Sequence, residues 1–323
     1  MTTTRELAAI PTDGRWISAA EFTPSGRELL LAVGGPDVLR WSIDEGRWLE
    51  PVRGPDGFTV SLIARAPDGR RLAIGGSRGE DAVVRLHAAD TLALVDELVG
   101  QGGDFLQVCV FDPVRPTLIA SYDQRGSDVW DLSRVPARRS HLRAVFDHVA
   151  YTRDARFVVS LGFTGELCAA EAAEVEADAP RDLASGQTLV ALHASHRPGE
   201  VLAALAGGEV ERWDVARGRR LPKLRFEVPP RALSPDGLRS AGTEITRQRC
   251  WIADATTGET LTSLPVATRG DHSAEVWSPD GARLLTYGYD TRLHEVLPGP
   301  TEPAARRPPA KKTAKKGTGG HKK

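Results

Sequence analysis

Three features of the 323-residue sequence predict an all-β chain closed into a seven-bladed β-propeller with four-stranded antiparallel blades. A turn phrase centred on Pro24, Pro67, Pro113, Arg153, Arg197, Pro235 and Pro279 recurs at intervals of 38 to 46 residues. Short, nearly continuous apolar runs flank each copy. The chain also opens with what reads as the last strand of a unit, while its final unit stops one strand short.

The turn phrase reads "TPSGR" (23–27), "APDGR" (66–70), "DPVRP" (112–116), "TRDAR" (152–156), "HRPGE" (196–200), "SPDGL" (234–238) and "SPDGA" (278–282). Proline presets φ at the second position, aspartate caps locally and glycine takes a positive φ. The first strand of each unit precedes the turn ("AAEF", "QVCV", "AEVW") and the second follows it ("ELLLAV", "FVVSLG", "RLLTYG"). Runs apolar on both sides suit strands covered on both faces, as in sheets stacked on sheets. A third strand often ends in Trp ("VLRWSID", "SDVWDLS", "EVERWDVARG"), and a polar turn leads to a weaker fourth. Four short strands at this period make a propeller blade.

The seventh unit, "SAEVWSPDGARLLTYGYDTRLHEV" (273–296), supplies only three strands. "TRELAAI" (4–10) reads as its fourth, brought from the other end of the chain. Such pairing removes the exposed edge and bare apolar face of an open ring. It predicts one domain over 1–297, followed by a disordered basic tail over 298–323.

Trp130-Asp131, Trp213-Asp214, the two "SPDG" turns, and Asp123 and Asp290 in the hairpins before third strands resemble the WD-repeat β-propeller family. The resemblance covers 4–297. The repeats are degenerate. The family's Gly-His dipeptide is essentially missing, Trp41 is followed by Ser42, and the third strand of unit four ends "LCAAE". What the resemblance implies is a non-catalytic protein–protein interaction scaffold.

Composition narrows the function classes. No apolar run approaches the ~18 residues of a membrane helix, and the N-terminus has no signal-peptide character, so a cytoplasmic protein without a membrane partner is expected. Cys109, Cys168 and Cys250 lie far apart in apolar runs and read as buried free thiols. The motifs of phosphate-binding loops, serine-hydrolase elbows and zinc proteases do not occur. "HASH" spaces His193 and His196 for a metal but straddles a strand and its turn, which argues against ligation. No cofactor or metal is expected. An enzyme acting in the central channel is the alternative, but Glu21, Arg65, His193 and Glu275 on the channel strands read as scattered.

One face of the ring collects the loops between second and third strands and the loops between blades. Acidic residues outnumber arginines there, with Asp81, Asp123, Glu166 and Asp290 the candidate contacts for a basic partner. The alternative is that aspartate simply serves as a turn residue. Phe105, Tyr122, Phe163, Tyr287 and Tyr289 are candidate peptide anchors nearby, Tyr287 being the one more expected to pack between blades. "EAAEVEADAPRD" (171–182) has the look of an acidic helix or docking segment but reads better as the fourth strand of unit four with its following loop.

The net charge of −1 hides a division. The tail carries Arg306, Arg307, Lys311, Lys312, Lys315, Lys316, Lys322 and Lys323 against Glu302, a charge of +7 that leaves the body near −8. "PAKKTAKKG" resembles the tails of linker histones and bacterial nucleoid proteins, which hold phosphate backbones without reading sequence. It reads either as a polyanion-binding element for nucleic acid or as a merely solvated run. The chain is expected to be a monomer.

Overall fold

The computed structural model describes residues 2–100, 105–122, 126–142, 144, 146–162, 165–175, 180–184, 188–266 and 274–297. The tail assigned to 298–323 lies outside them. Among the described residues no helix is long and apolar enough to cross a membrane.

The chain forms seven four-stranded antiparallel sheets, each a blade. It begins with β1 (Thr3–Ile10). The first blade is β2–β5: Ala19–Phe22, Glu28–Ala32, Val38–Ser42 and Arg47–Val52. The second is β6–β9: Phe58–Arg65, Arg71–Arg78, Asp81–Ala88 and Leu94–Val99. The third is β10–β13: Leu106–Phe111, Thr117–Tyr122, Gly126–Asp131 and Arg138–Leu142. The fourth is β14–β17: Phe146–Tyr151, Phe157–Gly162, Leu167–Glu171 and Arg181–Ala184. The fifth is β18–β21: Leu189–Ala194, Glu200–Leu205, Glu209–Asp214 and Arg219–Arg225. The sixth is β22–β25: Ala232–Leu233, Arg239–Glu244, Arg249–Asp254 and Thr260–Pro265. The seventh takes β26–β28 (Ala274–Trp277, Arg283–Tyr287, Thr291–Leu297) and then β1.

β1 pairs with β28 from Thr3↔Leu297 to Ile10↔Thr291, with a bulge between Glu6 and Ala8. The strand expected over 4–10 therefore closes the ring. Ile10 drops into the apolar cluster between the seventh and first blades, against Leu29, Leu31, Leu285 and Leu293.

The apolar character on both sides of the turn phrases now has its cause. Seven apolar clusters occupy the seven junctions between neighbouring blades. Leu30, Val60, Ile74 and Val83 join the first two blades, for example, and Val159, Leu192, Val201 and Trp213 join the fourth and fifth. Each sheet is buried on both faces, so alternation of polar and apolar residues has little place in the second strands.

The span 171–182 does not begin with the fourth strand expected there: Glu171 ends β16, and the fourth strand β17 starts only at Arg181, residues 176–179 lying outside the described ones. Acidic residues, alanine and proline are poor strand formers. The buried Ala172 and Val175 hold the start of the connection between the two strands against the junction of the third and fourth blades.

The recurrent turns meet edge to edge around the lower face. Their internal chemistry repeats. The Ser278 hydroxyl donates to Asp280 at 2.6 Å and accepts the Arg283 N–H at 2.8 Å. Ser234 does the same with Asp236 and Arg239. In the five turns that carry one, the glycine faces the turn of the preceding blade. A Cβ placed on Gly69 would stand 3.4 Å from Pro24, one on Gly26 3.6 Å from Pro279, and one on Gly281 3.6 Å from Pro235. Gly237 (φ +71°) faces the His196 backbone, where a Cβ would stand at 3.0 Å. Arginines cross the same seams: Arg283 donates to the Gly26 carbonyl at 2.9 Å and Arg239 to that of Gly281 at 2.8 Å.

Gly237→Ala is therefore expected to cost roughly 2 kcal/mol, from a left-handed backbone and a close contact with backbone atoms that cannot move aside. Urea unfolding of the variant checks this, and an unchanged midpoint would contradict the edge-to-edge contact.

Candidate functional site

The upper face carries the loops between second and third strands and those between blades. Asp81 opens β8, exposed and opposite Arg78 in register. Glu166 lies just before β16, and its carbonyl accepts the Gly162 N–H at 2.8 Å. Asp290 lies between β27 and β28. Asp123 and Phe163 fall outside the described residues. The structure thus distributes Asp81, Glu166 and Asp290 over the second, fourth and seventh blades and does not gather them into one cluster.

Ion pairs remove much of the acidic excess. Arg292 holds Asp290 at 2.6 Å and Glu6 at 2.8 Å, which pushes its own pKa up. Arg53 holds Asp37 at 2.6 Å, and Arg247 holds Glu227 at 2.7 Å and Glu244 at 3.4 Å. Asp56, Glu80 and Asp81 have no such partner among the described residues. Phe58 pairs with Arg78 and Arg78 with Asp81. The 53–57 loop and the 79–80 turn therefore share one end of the second blade, and these three acids form its open acidic patch.

The aromatic anchors sort by burial. Tyr122 is 1% exposed and packs between the second and third blades, so it is no surface anchor. Phe105 is 53% exposed on the loop entering the third blade. Tyr289 is 46% exposed and lies against Trp16, with ring centroids 4.9 Å apart and planes tilted by 59°. Trp16 escaped the sequence reading. Its one signal is its place in the loop that follows the closing strand.

In the channel, Glu21 and Glu275 are less scattered than their spacing suggested. Glu21 on β2 accepts its neighbour Phe22 N–H at 2.9 Å and lies 3.9 Å from Arg65 on β6. Burial pushes its pKa up to about 7, with Arg65 opposing. Glu275 on β26 is also pushed up to about 7 by burial, although the Thr243 hydroxyl donates to it and Arg231 is nearby. Its other carboxyl oxygen is buried without a hydrogen-bond partner among the described residues. So is the hydroxyl of Thr286, which faces Glu275 in register. Tyr287 lies within electrostatic reach of both carboxyls, and burial together with their charges pushes its phenol up.

The opposite side of the channel carries imidazoles. His193 on β18 reaches the Pro230 carbonyl at 3.1 Å, and burial pushes its pKa down to about 4, with His148 on β14 adding to the effect. His148 is itself pushed down by burial. His196 does not join His193: it accepts from Arg197 at 3.3 Å on the turn. No group of three or more His, Cys, Asp or Glu among the described residues is placed to hold a metal ion.

All three cysteines are free. Cys109 and Cys250 are buried as expected, whereas Cys168 is only half buried and donates to Asp182 at 3.3 Å. Burial pushes Cys109 up to about 12, and burial with Asp182 pushes Cys168 up to about 11, so both remain thiols at neutral pH.

Neither any protein-family model nor any curated protein matches this chain.

Proposed function

We propose that this chain is a non-catalytic interaction scaffold of the WD-repeat type, acting in the cytoplasm, that engages a basic protein segment on its upper face. The observation that carries this reading is the open patch of Asp56, Glu80 and Asp81, on a face that also exposes Phe105 and Tyr289, the latter against the half-buried Trp16. Unpaired carboxylates steer a cationic partner, and exposed aromatic rings supply desolvated anchors. Glu166 and Asp290 extend the same face. Three free thiols suit a reducing compartment.

The tail adds a second contact, to nucleic acid or another polyanion. Its eight cationic side chains release counterions on binding, with a log–log salt slope of about −0.9 per phosphate contacted.

Two measurements test this function. Capture from nuclease-treated extract is expected to lose partners when Glu80 and Asp81 are both changed to lysine; recovery of the same set would reject the upper-face reading. Binding of the full chain to duplex DNA is expected to fall about 10³-fold or more between about 50 and 200 mM salt. Residues 1–297 alone are expected not to bind, and equal binding by that fragment would reject the tail's role.

A second reading, a hydrolase or oxidoreductase working in the channel, is favoured by the Glu21–Tyr287–Glu275 set. Carboxyls titrating near neutrality suit general acid–base work. Turnover of ester or alcohol substrates that disappears in Glu21→Gln/Glu275→Gln would support it.

A further inference from the structure

The ring of abutting turns on the lower face has a gap. The turns of blades two, one, seven, six, five and four meet in succession through Gly69, Gly26, Gly281, Gly237 and Gly199. The turns of the fourth blade (Thr152-Arg153-Asp154-Ala155-Arg156) and the third (Asp112-Pro113-Val114-Arg115-Pro116) contain no glycine; the seam between fourth and third is bridged by Arg115, which leaves the seam between third and second without such a contact. The turn of the third blade is held differently. The buried Asp112 carboxylate accepts the N–H groups of Val114 and Arg115, both at 2.8 Å, and pairs with the Arg115 guanidinium at 2.7 Å. Arg115 also donates to the Ala155 carbonyl at 2.9 Å, so it leans toward the fourth blade and away from the second.

A pocket of about 260 Å³ opens in the gap. Its floor includes the buried Phe111 and Leu132, and Pro67, Pro113 and Val114 line its sides. Val114 is 76% exposed, the most open of the large apolar side chains described. Two of the nearby cations are engaged: Arg71 donates to the Leu132 carbonyl at 3.2 Å, and Arg115 is held as above. The Arg70 guanidinium is exposed and has no partner among the described residues. Of the carboxylates at the rim, Asp112 is committed to its own turn, and the exposed Asp68 accepts the Arg70 N–H at 2.8 Å through one oxygen.

We propose that this gap is a second docking site, which receives an acidic, extended segment of a partner protein. One apolar side chain enters between Val114 and the prolines, and an adjacent carboxylate pairs with Arg70. The volume decides the class of occupant. It falls below the ~300–1,000 Å³ of small-molecule sites, so it takes one or two side chains and leaves the rest of the ligand outside. Charge decides the sign. The free guanidinium selects a carboxylate, which excludes the chain's own tail with its +7 charge. The site faces away from the acidic upper loops, so the scaffold presents opposite charge preferences on its two faces.

The test is fluorescence anisotropy of a labelled octapeptide alternating leucine and glutamate, with its leucine–lysine counterpart as control, titrated with the full chain. The leucine–glutamate peptide is expected to bind with Kd in the high micromolar range. Arg70→Glu should weaken it about tenfold. Val114→Ser, which leaves all charges in place, should weaken it about fivefold through lost apolar contact. Both side chains are exposed, so the melting temperature should not move. Binding by the wild type that neither variant weakens would overturn the site, since it would place the peptide on the basic tail. Failure of the wild type to bind, or a leucine–lysine peptide that binds and is weakened by Val114→Ser, would overturn it as well.

Discussion

Removal of residues 1–11 is expected to destabilise the ring by at least about 5 kcal/mol, more than any single substitution proposed above. The deletion takes away the partner of β28 over its whole length, from Thr291 to Leu297. It exposes the hydrogen-bonding edge of that strand and removes Ile10 from the cluster between the seventh and first blades. Ile10→Ala isolates one part of this and should cost about 2–4 kcal/mol through the cavity left against Leu29 and Leu285. Deletion of 298–323 is expected to change stability little, because its composition offers almost no apolar surface to bury. Chemical unfolding of the three variants measures this. Equal, small effects from the two deletions would refute strand closure as a source of stability.

The second large effect is a pH dependence carried by Glu275. Its pKa is raised by burial from 4.5 to about 7, so the folded chain prefers the neutral carboxyl. The stability this gives is complete below the unfolded value, near pH 4.5, and is lost as pH rises through the folded value near 7. The loss amounts to about 3 kcal/mol in total, on the scale of about 1.4 kcal/mol per pH unit. Glu21 acts in the same direction. His87, His148, His193 and His294, all pushed down by burial, act oppositely over an overlapping range. The wild-type curve therefore shows a sum. The difference between Glu275→Gln and wild type isolates one group, because glutamine keeps an acceptor for Thr243 and cannot ionise. That difference should grow in favour of the variant from about pH 5 to 7 and then level off. A difference that stays flat over this range would mean that Glu275 is charged in the folded state.

The architecture was readable because each blade must bury two faces and make one tight turn. Both requirements leave marks at short range, an apolar run on either side and Ser/Thr-Pro-Asp-Gly between. Even the closing strand was legible, since a ring with an unpaired edge has a single economical remedy. The fourth blade was misread where those marks fade. Residues 171–182 have neither apolar run nor glycine turn, and the burial of Ala172 and Val175 at the blade junction is a tertiary contact with no local mark. The channel was harder still. Whether Glu21 and Glu275 meet Tyr287 depends on which residues of short inner strands face across two blade junctions, and no local pattern encodes that. On the upper face the sequence shows the acids but not their partners. Their pairing with Arg53, Arg247 and Arg292 reaches between residues up to 286 positions apart and leaves the second blade as the open patch.

Closure by the first strand also sets a timetable for biosynthesis. Thr3 must wait for Leu297. At roughly 5–20 residues per second, a ribosome needs on the order of 15–60 s to make the intervening chain. Over that interval the first blade has no neighbour for the face that carries Leu29 and Leu31, and β1 has no partner. A nascent chain in this state displays both a bare apolar surface and an unpaired edge, the features that chaperones retain and that seed aggregation. A chain truncated before β28 would remain there permanently. That exposure ends only when the seven-residue β28 emerges and captures the first strand.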